Sequence, residues 1–475
     1  MLSGEETFAS KTNLMAKVKK TDTLTPNQKK SASRLSIVNP HAAGIDIGDT
    51  IHAVAVPPQA AEESVRIFTT MTCDHTTISD WLRECGVNTV AMESTGVYWK
   101  PLFSHLVRAG FEVFLVNSRN VKNVSGRKTD EGDAVWIQKL HSYGLLRSSY
   151  LPDDEQEALR TLVRFRKVLL SDSSRCVLRM QKSLELMNIK LHTVISDITG
   201  QTGTAIVTAI IGGERNANAF LPLVGHRIKA DSEMIRKSLQ GNWRTEHLFT
   251  LSESYDLYRY YQQRITVCDQ QIEEQLRNYE AQRNDGAIET SAKDTVNRQD
   301  KKLKQKNAPR FNVRGYLDRI LGVDVLAIYG LSETGGLQIL AETGTDMTKW
   351  ENEKHFASWL NLCPNNKLSG GKLISSKVKK GRPSIAGQAF RAAANAVQRS
   401  DHWLADYFRR MKSIGGNKYA IVATANKLST IYYKMVRYQA EFAPVNPQEY
   451  NAKRNEHKIK YLERKLNELK AIKNG

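Results

Sequence analysis

The sequence has few cysteines, and they are not arranged to bind zinc or to form a disulfide framework. The 475 residues include five cysteines, and no two of them form a Cys-x-x-Cys pair. Their positions are Cys73, Cys85, Cys176, Cys268 and Cys363. This usage fits a reducing cytosol, where thiols remain unpaired. The cysteines therefore predict neither a structural zinc site nor a disulfide-rich secreted fold.

Long apolar runs are also missing from the sequence. No stretch approaches the roughly 20 consecutive apolar residues that a membrane-spanning helix needs. The first residues, MLSGEETFASKTNLMAKVKK, lack the apolar core of a signal peptide. We therefore expect an intracellular protein without a membrane partner.

Acidic residues are outnumbered by basic ones. Asp and Glu total 50 against 69 Lys and Arg, which gives a formal net charge of +19. An excess of this size indicates a polyanionic partner, most simply a nucleic acid. A basic enzyme with an unrelated substrate is the alternative. The chain is long enough for two or three domains, each with its own core.

Four acidic residues stand on strands or at a helix start in the first ordered part of the chain. Asp46 alternates with isoleucines in a strand that a Gly-Asp turn joins to a second strand, and Glu93 ends a later strand. Asp130 and Asp133 open a helix, and their spacing of three places them on one helical face. Strands and helices alternating in this way predict an α/β domain with ligands at strand ends.

Carboxylates that lie close together repel one another unless a cation separates them. Ligand sets made only of oxygen atoms suit Mg²⁺ or Mn²⁺. The four acids together therefore predict a two-metal site. For Asp130 and Asp133 alone, an acidic first turn favoured by the helix dipole is the alternative.

The pattern changes at Pro152. Apolar residues recur at spacings of three, four and seven from Glu155 to about Leu191 and from Ser232 to about Arg283, which predicts two long helices in an antiparallel coiled coil. The predicted order is a basic flexible arm (1–38), an α/β domain (39–151), the helical coiled-coil region (152–283), a polar linker (284–310), a mostly helical domain (311–446) and a basic C-terminal helix (447–475).

Ser369 precedes two glycines in a stretch surrounded by cations. We predict a flexible loop whose backbone can come close to a ligand, which suits a hydroxyl presented to a phosphodiester. An ordinary turn is the alternative. The cations that we expect to contact nucleic-acid phosphates are Lys128, Lys372, Lys379, Lys380 and Arg382.

Four motifs, GIDIGDT, ESTGVYW, RKTDEGDA and LSGGK followed by KKGRP, occur in this order. Together they resemble the DEDD transposases of bacterial insertion sequences. The similar group is insertion-sequence family 110, which includes relatives of the pilin-gene invertase and is understood as bridge-RNA-guided recombinases. The resemblance covers His41 to about Tyr438, and the helical middle is more similar to the 1111 subgroup.

The resemblance implies a RuvC-like, RNase H-type fold for the first domain, with Asp46, Glu93, Asp130 and Asp133 as ligands of Mg²⁺ or Mn²⁺. It implies that Ser369 is the nucleophile of a C-terminal transposase domain. It further implies a homotetramer (a dimer of dimers) in the bacterial cytoplasm, associated with the nucleoid, and a structured guide RNA that pairs with donor and target DNA. Lys367-Leu368 departs from relatives, which often carry an aromatic or acidic residue before the serine.

Three other functions are compatible with these sequence features. A metal-only, RuvC-like junction nuclease would need the four acids and no serine. An actin-like ATPase is suggested by Asp46-Ile47-Gly48-Asp49-Thr50, which resembles a DxGxT phosphate loop, but no later glycine-rich adenosine loop follows. A non-catalytic RNA-binding protein that has kept the fold is the third.

Overall fold

The structure is a computed structural model that describes residues 36–94, 96–117, 130–284, 306–364, 366–378, 384–444 and 446–473. The chain divides into two compact units, Met1–Leu151 and Pro152–Gly475. Most of the expected basic arm and of the expected linker lies outside the described residues. Within the described ranges, no helix is both long enough and apolar enough to cross a bilayer.

The first unit is built on a five-stranded mixed sheet. Its strands are β1 (Ala42–Ile47), β2 (Ile51–Ala55), β3 (Val65–Thr69), β4 (Thr89–Glu93) and β5 (Glu112–Val116). The strand order is β3-β2-β1-β4-β5. β1, β2 and β3 form an antiparallel meander, whereas β1, β4 and β5 are parallel. The α/β prediction is confirmed, and the mixed sheet with its helices is consistent with a RuvC-like domain.

Among the described residues of this unit, helices α1 (Thr72–Glu84), α2 (Trp99–Arg108) and α3 (Asp130–Ser142) cover the two faces of the sheet. Isoleucines 45 and 47 of β1 pack with apolar residues of α1 and α2 in the main core. The alternate residues of β1 face α3, because successive side chains along a strand point to opposite faces. Smaller clusters of alanine, valine and isoleucine form this second interface.

Gly44 allows α3 to pack directly on β1. A Cβ atom at Gly44 would lie 2.2 Å from the backbone nitrogen of Gln138 and 2.5 Å from the carbonyl oxygen of Ala134. Any larger residue would therefore displace the helix. The side chain of Gln138 also donates a hydrogen bond to the carbonyl oxygen of Ala42 at 3.2 Å. These contacts fix the position of α3 relative to β1.

His141 of α3 is buried, and its Nε2 lies 2.9 Å from Oγ1 of Thr89 on β4. Burial lowers the pKa of His141 from 6.5 to about 4. The unfolded chain therefore binds more protons than the folded chain between these two values. The contribution of neutral His141 to the free energy of unfolding is fully present above pH 6.5. It is lost as the pH falls toward 4, because the histidine binds a proton in the unfolded chain before it does so in the folded chain.

We expect His141→Gln to flatten the pH dependence of the free energy of unfolding between about pH 4 and 6.5, by up to about 1.4 kcal/mol per pH unit. Urea unfolding at a series of pH values measures this slope. His41→Gln, at an exposed position of the same unit, is the matched control. His52, whose pKa burial also lowers to about 4, and His75 and His402, whose pKa values burial lowers as well, contribute to the dependence that remains. Equal slopes in the two variants would contradict the assignment.

The second unit is mostly helical, as predicted. Its helices are α4 (Asp154–Leu186), α5 (Gln201–Ile211), α6 (Ser232–Ser238), α7 (Thr245–Asn284), α8 (Val313–Leu321), α9 (Glu333–Thr343), α10 (Glu353–Trp359), α11 (Ile385–Val397), α12 (Trp403–Tyr438) and α13 (Pro447–Lys473). Two short strands, β6 (Lys367–Ser369) and β7 (Lys372–Ser375), form a separate hairpin.

Helices α4 and α7 form the predicted antiparallel pair. Arg166 of α4 pairs with Asp269 of α7, and Ser183, further along α4, contacts Thr250, which is earlier in α7. The two helices therefore run in opposite directions. The second predicted helix is interrupted, however. Residues 239–244 separate α6 from α7, and Trp243 there has a positive φ of 48°, which a helix does not accommodate.

Buried ion pairs hold the two helices together and join them to the rest of the second unit. Arg166 and Asp269 are both almost fully buried, and Arg166 also donates to the carbonyl oxygen of Asn307 at 3.1 Å. Arg164 makes a bidentate contact with the buried carboxylate of Glu342 on α9, at 2.8 and 2.9 Å. Removing Arg166 or Asp269 would leave its partner as an unpaired buried charge, which is strongly destabilising. The described end of the expected linker is therefore packed against helices.

Candidate functional site

Two of the predicted acids lie side by side on adjacent parallel strands. β1 and β4 pair in register, with Ile45 opposite Met92. Asp46 and Glu93 are the next residues on the two strands, so they occupy matching positions. Neighbouring strands are about 4.8 Å apart, and side chains at matching positions point to the same face of the sheet.

That face is the one covered by α3. Asp46 is two residues beyond Gly44, which contacts the backbone of α3. Across the antiparallel pair, Asp46 lies opposite Ala53, which packs in one apolar cluster with Ala134. Asp133 immediately precedes Ala134. The beginning of α3 therefore lies at the same end of the sheet as Asp46.

The surroundings of these carboxylates suit a divalent cation. Glu93 is 7% exposed, and Asp46 and Asp133 are half-buried. Carboxylates brought together in a partly buried place repel one another unless a proton or a cation intervenes. Their donor atoms are all oxygens, which fits a hard cation.

For two other predicted residues of this region, Asp130 and Lys128, the structure describes no side chain. Asp130 is the first residue of α3, but its side chain lies outside the described residues, as does Lys128. Among the described side chains, no group of three or more His, Cys, Asp and Glu residues is arranged to hold a metal ion. The complete four-carboxylate site therefore stays a prediction.

Ser369 ends β6 at the tip of the hairpin. It pairs with Lys372 across a two-residue turn formed by Gly370 and Gly371. Both glycines have positive φ values, 55° and 76°, which is the pattern of a type I′ turn. The predicted flexible loop is therefore a tight turn, because the two glycines adopt the backbone that joins antiparallel strands. Ser369 is exposed there.

The hairpin continues beyond its two strands through a bridge between Pro364 and Val378. Lys372 is exposed and lies opposite the serine. Three further predicted phosphate-binding residues, Lys379, Lys380 and Arg382, lie outside the described residues. Of the predicted cations, the structure thus places only Lys372, beside Ser369, in the part of the chain that it describes.

Two family models match the chain in the regions that hold these residues. A model for DEDD transposases of the IS110 type, described as a transposase, matches residues 43–189. A second model, described as the transposase IS116/IS110/IS902 family, matches residues 324–409. The chain belongs to the IS110 family of DEDD transposases. No curated protein matches it.

Family membership makes the transposase an enzyme that acts on DNA. DEDD transposases generally use divalent metal ions, in agreement with the oxygen donors at the end of the sheet. The first matched region contains all four predicted acids, and the second contains Ser369. The acids and the serine of the transposase thus lie in separately matched regions.

Sequence reasoning missed a row of histidines in the first unit of the transposase. The ring centroids of His52 and His75 are 6.1 Å apart, and those of His75 and His105 are 6.0 Å apart. The three residues come from β2, α1 and α2, so no spacing in the sequence connects them. The one signal in the sequence was the position of His52 within an apolar run, and the structure shows that the residue is buried.

Proposed function

We propose that the transposase cuts and rejoins donor and target DNA through a covalent bond between Ser369 and a DNA phosphate. Asp46, Glu93, Asp130 and Asp133 hold Mg²⁺ for this reaction. The observation that carries the proposal is the placement of Asp46 and Glu93 at matching positions of adjacent parallel strands, beside the start of α3. Mn²⁺ fits the same donors.

The chemistry assigned to the protein is an in-line phosphoryl transfer. Oγ of Ser369 bonds to phosphorus, the bond from phosphorus to one DNA oxygen breaks, and that oxygen leaves with a proton. A serine hydroxyl is a poor nucleophile unless it is activated. When bound at the carboxylates, a divalent cation would supply electrostatic stabilisation of the charge that develops in the transition state.

The hairpin suits this role because it holds Ser369 exposed at a defined turn. Lys372 pairs with the serine across the turn, which supports a role in neutralising a DNA phosphate. The phosphoserine ester retains the energy of the broken bond. A second DNA hydroxyl can therefore attack it and rejoin the strand without ATP.

Guidance by RNA is the second part of the proposal. A structured RNA of the element selects donor and target by base pairing, and a homotetramer holds the strands. The excess of positive charge supports a large nucleic-acid partner. In such a system base pairing carries the sequence choice, while the protein reads the shape and backbone of the duplex.

Strand exchange between donor and target DNA tests this function. The purified protein is mixed with both DNAs and Mg²⁺, with and without RNA transcribed from the non-coding flanks of its gene. We expect joined products only when RNA and Mg²⁺ are both present, and none with EDTA. Equal amounts of joined DNA with and without RNA would contradict guidance by RNA. Cleavage without rejoining and without a covalent protein–DNA adduct would instead assign a metal-only junction nuclease.

A further inference from the structure

A pocket of about 450 Å³ lies between α1 and α2 of the first unit. Its volume is within the range of about 300–1,000 Å³ that is usual for ligand sites. Six of the eight residues that line it carry polar or cationic side chains. These six are Thr72, His75, Lys100, Ser104, His105 and Arg108, and Val97 and Pro101 complete the lining.

The cations of the pocket follow one side of α2. Lys100, Ser104 and Arg108 are spaced by four residues, so they form a stripe on a single helical face. Nε of Arg108 donates a hydrogen bond to the carbonyl oxygen of Ser104 at 3.0 Å, which holds the guanidinium along the stripe. Lys100 and Arg108 are exposed, so a ligand can reach both cations.

Two histidines line the inner wall. His75 is buried, and burial together with the neighbouring His105 lowers the pKa of His75, against the opposing effect of Asp74. Behind it, His52 is 1% exposed and its Nδ1 makes no hydrogen bond among the described residues. Nε2 of His105 lies 3.2 Å from Oγ of Ser79. Such a wall offers imidazole and hydroxyl groups to an oxygen-rich ligand.

The pocket lies next to the turn that leaves the candidate metal site. β4 ends at Glu93, and Val97 of the following turn lines the pocket beside Lys100. Val97 is 75% exposed, and Gly96 before it has a positive φ of 55°. The pocket lies on the sheet face covered by α1 and α2 and the carboxylates lie on the face covered by α3, so the turn after Glu93 connects the two regions at one end of the sheet.

We propose that the pocket binds a phosphodiester of a nucleic-acid backbone, with Lys100 and Arg108 as the charged contacts. Two cations on a helical stripe and a histidine wall recognise phosphate oxygens without reading bases. RNA and DNA share this chemistry. The proposal needs the DNA substrate of the family but is independent of the serine intermediate.

Binding of the full-length protein to labelled single-stranded RNA and to double-stranded DNA tests the pocket, with fluorescence anisotropy measured over a series of salt concentrations. The variant is Lys100→Ala with Arg108→Ala. We expect roughly tenfold weaker binding, equally for all base sequences. The salt slope should fall by about one for each phosphate that the variant no longer neutralises.

Two controls separate a binding defect from a folding defect or a general loss of charge. Lys139→Ala with Arg147→Ala removes the same charge from exposed positions of the same unit and should leave the slope unchanged. Lys100→Arg with Arg108→Lys keeps the charge and should retain most of the affinity. Weaker binding of RNA alone assigns the pocket to an RNA strand, and weaker binding of DNA alone assigns it to DNA. Wild-type affinity and slope for both nucleic acids would overturn the proposal, whatever the outcome for Ser369.

Discussion

Asp46→Asn is expected to lower the rate of DNA cleavage by about 10³-fold or more, because a metal ligand contributes several kcal/mol to the transition state. We propose this role for Asp46 because its strand position matches that of Glu93, and both lie on the sheet face that α3 covers. The amide has the same shape as the carboxylate but removes one negative charge from the site. Single-turnover cleavage of a labelled substrate measures the effect.

A second readout separates loss of the metal site from damage to the fold. Without a divalent cation the neighbouring carboxylates repel one another, so Asp46→Asn should unfold at the same temperature as the wild type or a higher one. Added Mg²⁺ should stabilise the wild type but not the variant, because only the wild type gains binding energy in its folded state.

Asp49→Asn is the matched control for both measurements. Asp49 is exposed in the turn after β1, three residues from Asp46, so the substitution removes the same charge outside the proposed site. We expect cleavage within about twofold of the wild type and unchanged stabilisation by Mg²⁺. Cleavage by Asp46→Asn at the control's rate would remove Asp46 from the mechanism.

Ser369→Ala is expected to abolish both the covalent protein–DNA adduct and strand joining, while DNA binding stays within about twofold of the wild type. The serine is exposed at the hairpin tip, and the turn is set by Gly370 and Gly371. Removing the hydroxyl therefore leaves the hairpin intact. Denaturing gels with a labelled DNA strand detect the adduct.

Ser375→Ala is the control on the same hairpin. Ser375 lies on β7 opposite Lys367, and its hydroxyl accepts a hydrogen bond from the backbone nitrogen of Lys377 at 3.4 Å. We expect this variant to form the adduct and to join strands. Joining by Ser369→Ala at the rate of Ser375→Ala would exclude Ser369 as the nucleophile, and the metal-only nuclease would then gain support.

The sequence predicted the elements with a strong apolar period and missed those without one. β1 and β4 are short, mostly buried and mostly apolar, so they were recognisable as strands. β3 is largely exposed at the edge of the sheet, and α1 mixes threonine, histidine and aspartate with its buried positions, so neither gave a clear pattern. Propensity is a weak guide where tertiary packing decides.

The site was predictable in composition but not in arrangement. Spacing placed Asp130 and Asp133 on one helix, because positions three apart are local neighbours. The matching positions of Asp46 and Glu93 depend on parallel pairing between distant strands, which no local pattern specifies. For the same reason the two glycines after Ser369 predicted a flexible loop, with a turn as the alternative, and the pairing that makes a hairpin became visible only in the structure.

Mapping of the protein–DNA bond tests the central claim most directly. The protein is trapped on a nicked substrate that cannot be rejoined, digested with nuclease and protease, and analysed by mass spectrometry. We predict a nucleotide remnant on the peptide that contains Ser369, formed with Mg²⁺ by the wild type and by Asp49→Asn but not by Asp46→Asn. A remnant on any other residue, or complete cleavage without a remnant, would contradict the proposed mechanism.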